Sequence, residues 1–162
     1  MSTAKPLSEV SKWLASYLSQ RYPKTTVIAE PTAYQTLTKF MSKSGLYRYF
    51  PNSATFQISV DVCGVSVKES PIHAILAIVK FANHPITLNE CLIFKGYAQI
   101  VHADHAFIIS PKGWSPTLQR LVRDFKRLDI LEYASGKFVV VAKWDNLSKS
   151  VRPGDVLLPG TL

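Results

Sequence analysis

Acidic residues are scarce in this chain. Asp and Glu number 11 against 19 Lys and Arg, which leaves a formal charge of +8 and a sequence pI of about 9.6. That imbalance favours a polyanionic partner, because each phosphate neutralised by a cation releases a counterion. The competing reading is a basic domain whose charge only keeps it soluble. Cysteine is nearly absent as well: Cys63 and Cys91 form no CxxC and have no His or Cys at zinc-finger spacing. A disulfide framework and a zinc finger are thereby excluded, and both residues read as buried free thiols of a reducing, cytoplasmic compartment. Long apolar runs are missing too. The longest, Ala74 to Val79, is far short of the roughly 20 residues a membrane helix needs. Met1 to Leu7 is short and polar with no apolar stretch behind it, so neither export nor membrane insertion is expected. Gly-rich phosphate loops, GxSxG elbows, HExxH motifs and internal repeats do not occur.

What is present suits one packed α/β domain over 1–162, with 47% hydrophobic and 11% aromatic residues. Leu7, Val10, Trp13, Leu14, Tyr17 and Leu18 follow helical spacing up to Pro23. Thr25 to Ala29 reads as a short strand closed by Pro31. Ala33 to Met41 suits a helix, and 32–53 as a whole reads as an insertion. Phe56 to Val62 alternates as a half-buried strand, and Ile72 to Phe81 is apolar enough for a strand buried on both faces. Thr87-x-x-Glu90 is a capping-box pattern opening a helix to about Val101. His105 to Ser110 is a strand. Ser115 and Pro116 then start a helix expected to reach Arg127. Asp129 to Tyr133 and Phe138 to Trp144 predict a hairpin, and 145–162 an extended surface tail.

A metal-dependent phosphodiesterase needs carboxylates to hold a divalent ion and a cation near the attacked phosphate. An Asp on one strand facing Glu-x-Lys on the next meets that need, since residues i and i+2 share a face. Here Phe56-Gln-Ile-Ser-Val-Asp-Val-Cys-Gly64 and Ile75-Leu-Ala-Ile-Val-Lys-Phe81, followed by the Lys95-Gly-Tyr-Ala98 helix and His105-Ala-Phe-Ile-Ile-Ser110, resemble the PD-(D/E)XK superfamily. That superfamily includes restriction endonucleases and archaeal Holliday-junction resolvases. The resemblance implies a restriction-endonuclease-like core of helix, three strands, helix and strand over residues 7 to 110, with a C-terminal helix and hairpin added. It also implies a DNA endonuclease using Mg²⁺ or Mn²⁺, with Asp61 as metal ligand and Lys80 as the catalytic cation.

The motif departs from the family at two places: Ile78 stands where the acidic residue belongs, and Val60 where the Pro belongs. The resemblance offers Glu90, on the next helix, and Glu9, on the first, as substitute ligands. Each has a plainer role. Glu90 closes a capping box, and Glu9 is a first-turn acid favoured by the helix dipole. Asp61 and Lys80 likewise read either as site residues or as a structural pair. His102 and His105 read as surface residues, since nothing fixes them on one face.

Lys112, Arg120, Arg123 and Arg127 give the loop and helix after the last core strand a basic side, with Trp114 as a stacking group. Lys95 is a further candidate for phosphate contact. Three functions are therefore carried forward: a nuclease, an inactive relative that binds DNA or a protein, and a winged-helix-like regulator built on the C-terminal helix and hairpin. A homodimer is compatible with each, with the aromatic 46–50 segment as one candidate interface.

Overall fold

The computed structural model describes residues 6–31, 60–69, 72–134, 136–158 and 162. Helix α1, Leu7–Arg21, buries Val10, Leu14 and Leu18, as their three- and four-residue spacing requires. Glu9 in its first turn and Arg21 in its last complement the helix dipole, and the chain leaves at Tyr22-Pro23. Strand β1, Thr26–Pro31, runs antiparallel to β2, Val62–Glu69, and β2 runs antiparallel to β3, Ile72–Phe81. Helix α2, Leu88–Ile100, then crosses to β4, His105–Ser110, which lies parallel to β3. Strand β6, Lys137–Asp145, is parallel to β4 on its other side. Its outer edge is shared by β5, Glu132–Tyr133, and β7, Ser150–Val156, both antiparallel to it. The sheet order is thus β1-β2-β3-β4-β6, and β2 alone among these five is reversed.

The two faces of the sheet bury separate clusters. Cys63, Leu76, Ile78, Ala106, Ile108 and Val141 pack under Cys91, Phe94 and Ala98 of α2. Val62, Ala77, Val79, Phe107, Ile109 and Ala142 pack under Val10, Leu14 and Leu18 of α1. β3 lies between both helices, which is why its sequence is apolar without alternation.

Several expectations need correction. β2 starts at Val62, so Asp61 precedes the strand instead of lying within it, and most of the expected 56–62 strand falls outside the described residues. The expected helix at 33–41, the insertion at 32–53 and its 46–50 segment also fall outside them. The helix after Ser115, here α3, is α-helical only over Pro116–Gln119 and continues as a wider π turn over Arg120–Asp124. The Phe125 amide closes that turn on the Arg120 carbonyl, and Lys126 follows with φ +56°, which stops the helix short of Arg127. The expected strand 129–133 is a 3-10 turn, Leu128–Ile130, followed by the two residues of β5. Ile130 and Leu131 turn inward to the core, and the Leu131 carbonyl accepts the Val139 amide. The expected surface tail contains β7, because the outer edge of β6 offers ladder bonds that an extended segment can satisfy. β6 is paired along both edges, within the sheet.

Candidate functional site

The carboxyl ends of parallel β3, β4 and β6 gather the loops 82–87 and 111–115. Loops at such ends are the usual ligand-facing part of an open α/β sheet. The Asp61 amide donates to the Val79 carbonyl at 2.8 Å, and its Oδ2 accepts the Phe81 amide at 2.7 Å. The side chain thus extends the β2–β3 ladder by one bond. Val62 lies opposite Val79 at the end of the β2–β3 ladder, and Asp61 and Lys80 are the residues next to that pair. Lys80 is half-buried on the α2 face, in line with Leu76 and Ile78. Asp61 is thus bonded to both chain neighbours of Lys80.

The remaining positions of the expected site have other partners. Ile78 is fully buried between Cys63 of β2 and Ala106 of β4. Glu90 has both carboxylate oxygens engaged. Its Oε1 accepts the Thr87 amide at 3.0 Å and the Thr87 hydroxyl at 3.1 Å, and its Oε2 meets His84 Nε2 at 2.9 Å. In return Thr87 Oγ1 accepts the Glu90 amide at 3.2 Å, completing the capping box. Partial burial pushes the Glu90 pKa up, but the bonds from Thr87 and His84 outweigh it and hold the carboxyl below its ordinary value. Glu9 sits on α1, on the opposite face of the sheet from α2. Its own backbone amide, the Ser8 hydroxyl and nearby Lys149 and Lys12 lower its pKa. Among the described residues no three His, Cys, Asp or Glu side chains gather to hold a metal ion. A hard divalent cation wants several oxygen ligands around it. Asp61, Glu90 and Glu9, as arranged, do not supply that set.

The loops over this edge are stitched together. The Ile86 amide donates to Gly113 O and the Ser115 amide to Ile86 O, both at 2.9 Å. Ser110, fully buried, donates its hydroxyl to the His84 carbonyl at 2.6 Å and accepts the Lys112 amide at 3.1 Å. Lys112 is held on this braced loop with its side chain exposed. Gly113, at φ +69°, makes the turn that brings the loop against Lys143, whose Cδ would lie 3.9 Å from a Cβ there. Lys143, exposed on β6, was missed in the sequence, though it is the one charged residue inside Phe138 to Trp144.

The remaining basic candidates divide. Arg120 is exposed at the start of the π turn. Arg123 points back into the molecule. Its Nε donates to Leu157 O at 3.0 Å and its Nη2 to Val156 O at 3.1 Å, with the guanidinium 5.3 Å above the Trp114 ring. Arg127 forms a two-bond pair with Asp129, each bond 2.9 Å. Lys95 Nζ donates to the Asp129 carbonyl at 2.9 Å.

His105 departs from its expected surface position. It is half-buried against Tyr17, Tyr22 and Phe107 and shares a short hydrogen bond with the Tyr22 hydroxyl. Burial, with Arg21 nearby, brings its pKa down to about 4. His102 is exposed, at φ +55° just past the end of α2. A groove of about 490 Å³ between α1 and β7, lined by Trp13, Tyr17, Arg21 and Val151, contains none of the candidate site residues. Compared with protein-family models, with curated proteins and with solved structures, the chain shows no match.

Proposed function

We propose that this chain is a DNA-binding protein on a restriction-endonuclease-like scaffold, in which packing and helix capping have taken the place of the metal centre. The order α1, β1, β2, β3, α2, β4 and the bonds of Asp61 to both chain neighbours of Lys80 support the scaffold. One observation carries the functional choice. At the strand ends, Ile78 is packed into the core and Glu90 is bound to Thr87 and His84, while Lys112 and the neighbouring Lys143 remain exposed there and Arg120 is exposed at the start of the π turn. Cations on a braced loop, a strand end and a π turn suit the phosphate backbone, which positions a protein without reading sequence.

The test is binding of labelled linear, branched and single-stranded DNA across a salt series, with Mg²⁺ or Mn²⁺ present to reveal any cutting. Binding should weaken with salt. Lys112→Glu combined with Lys143→Glu should lower affinity by about tenfold or more and flatten the salt slope by about one to two units. Absence of salt-sensitive binding would overturn the reading. So would metal-dependent cleavage that disappears in Asp61→Asn, a variant that still offers Phe81 an acceptor; that outcome establishes a nuclease.

A further inference from the structure

We propose that the outer face of α2 pairs with the same face of a second copy of this chain, as an antiparallel helix pair whose two-fold axis passes at Gly96. Cys91, Phe94 and Ala98 turn the inner face of α2 to the core. At about 100° per residue, Asn89, Leu92, Ile93, Gly96, Gln99 and Ile100 then lie within about 60° of the opposite direction, with Gly96 at the centre. All six are exposed and none is charged. Leu92, Ile93 and Ile100 are 44%, 49% and 38% exposed, an unusual concentration of large apolar side chains on one solvent-facing helix.

The spacing identifies the occupant. Leu92 stands four residues before Gly96 and Ile100 four residues after it. When two such helices cross antiparallel at Gly96, Leu92 of each copy meets Ile100 of the other, and both contacts form at once. This is the self-complementarity that a two-fold interface demands. Among the described residues a Cβ at Gly96 would meet nothing within 4 Å, so the glycine serves no packing need there. At the crossing point its missing side chain lets the backbones approach closely. Charge points the same way. Two copies of a +8 chain repel, which favours contact through a face that presents no cation. The nearest cation on the helix, Lys95, is drawn aside by its bond to the Asp129 carbonyl. The pairing does not depend on DNA binding, so either can fail alone.

A contact of one helix face lies at the small end of the interface scale, so the dimer should be weak and concentration-dependent. Sedimentation velocity on the full chain should show the mass rising from 18.1 kDa towards twice that value over roughly a hundredfold increase in concentration. Leu92→Glu and Ile100→Lys should each weaken association about tenfold or more. Combined in one chain they should restore it, because the symmetry sets each new acid against the new base of the other copy. Gly96→Arg should also abolish pairing, and circular dichroism should show all these exposed-site variants folded. A monomer at every concentration overturns the proposal, as does a dimer indifferent to the single changes. A double variant no more dimeric than the singles overturns the antiparallel arrangement.

Discussion

Replacing Gly64 by alanine should destabilise the protein even though the backbone there needs no glycine conformation. Gly64 lies on β2 beneath α1. A Cβ at this position would stand 2.8 Å from Leu14 Cδ2, 3.0 Å from Leu18 Cδ1 and 3.3 Å from Leu14 Cγ. Both leucines are fully buried, so their methyl groups cannot swing into solvent and the helix must lift or the side chains leave their rotamers. Overpacking of this kind costs about 1–3 kcal/mol. The lower entropy of the unfolded chain returns about 0.4–1 kcal/mol, leaving a net loss of about 1–2 kcal/mol. For a domain of this size that corresponds to a fall of roughly 3–6 °C in Tm. A double-mutant cycle with Leu14→Ala isolates the contact. Leu14→Ala alone should cost about 3–5 kcal/mol through the cavity it opens, and the added methyl at 64 should fill part of that space. The pair should therefore lose about 1 kcal/mol less than the sum of the singles, read by urea unfolding. An alanine variant as stable as the native protein, with an additive cycle, would refute the close approach of α1 to β2.

Two further outcomes follow from half-buried polar groups. His105 has a folded-state pKa lowered to about 4, so it resists protonation that the unfolded chain accepts at about 6.5. Its contribution is complete above pH 6.5 and is lost as the pH falls towards 4, by about 2–3 kcal/mol. Unfolding free energies measured across that window should decline less steeply in His105→Phe than in the native protein, and parallel curves would remove the histidine from the account. Asp104 Oδ2 accepts the Leu76 amide at 2.9 Å, just before β3 begins pairing with β4, and its Oδ1 meets Lys137 Nζ at 2.9 Å. Asp104→Ala should cost about 1–3 kcal/mol by stranding that amide, and Asp104→Asn clearly less. Equal losses in thermal unfolding would show that the charge, not the backbone bond, matters.

The elements legible in the sequence are those with local punctuation. β4 was bounded by Asp104 and Pro111. α2 was announced by the Thr87–Glu90 spacing, and β3 by an apolar run that only two-sided burial explains. The start of β2 was obscured because its alternation continues that of the residues before it. β7 was hidden by Pro153 and Gly154, which read as a turn. They are tolerated because they lie exposed on the outer strand, between its pairs Trp144–Val151 and Ala142–Val156, where the register shifts. Part of the candidate site was legible. Period-two reasoning brought Asp61 to the end of β3, where it bonds Val79 and Phe81, and the capping role of Glu90 was visible in its spacing. The fate of Arg123 was not, because its acceptors are carbonyls more than 30 residues away, and a helical wheel carries no trace of them.

That clamp also bears on the chain's behaviour outside its native state. Phe138 to Ala142 is an uncharged stretch of high β-propensity, the composition that adds itself to other strands when an edge is open. In the folded protein β4 covers one side of β6, while β5 and β7 divide the other. The last turn of that cover, at Val156 and Leu157, is held by the Arg123 guanidinium as well as by the ladder. Loss of the Arg123 grip should therefore loosen the end of β7 and uncover a stretch suited to recruit another chain.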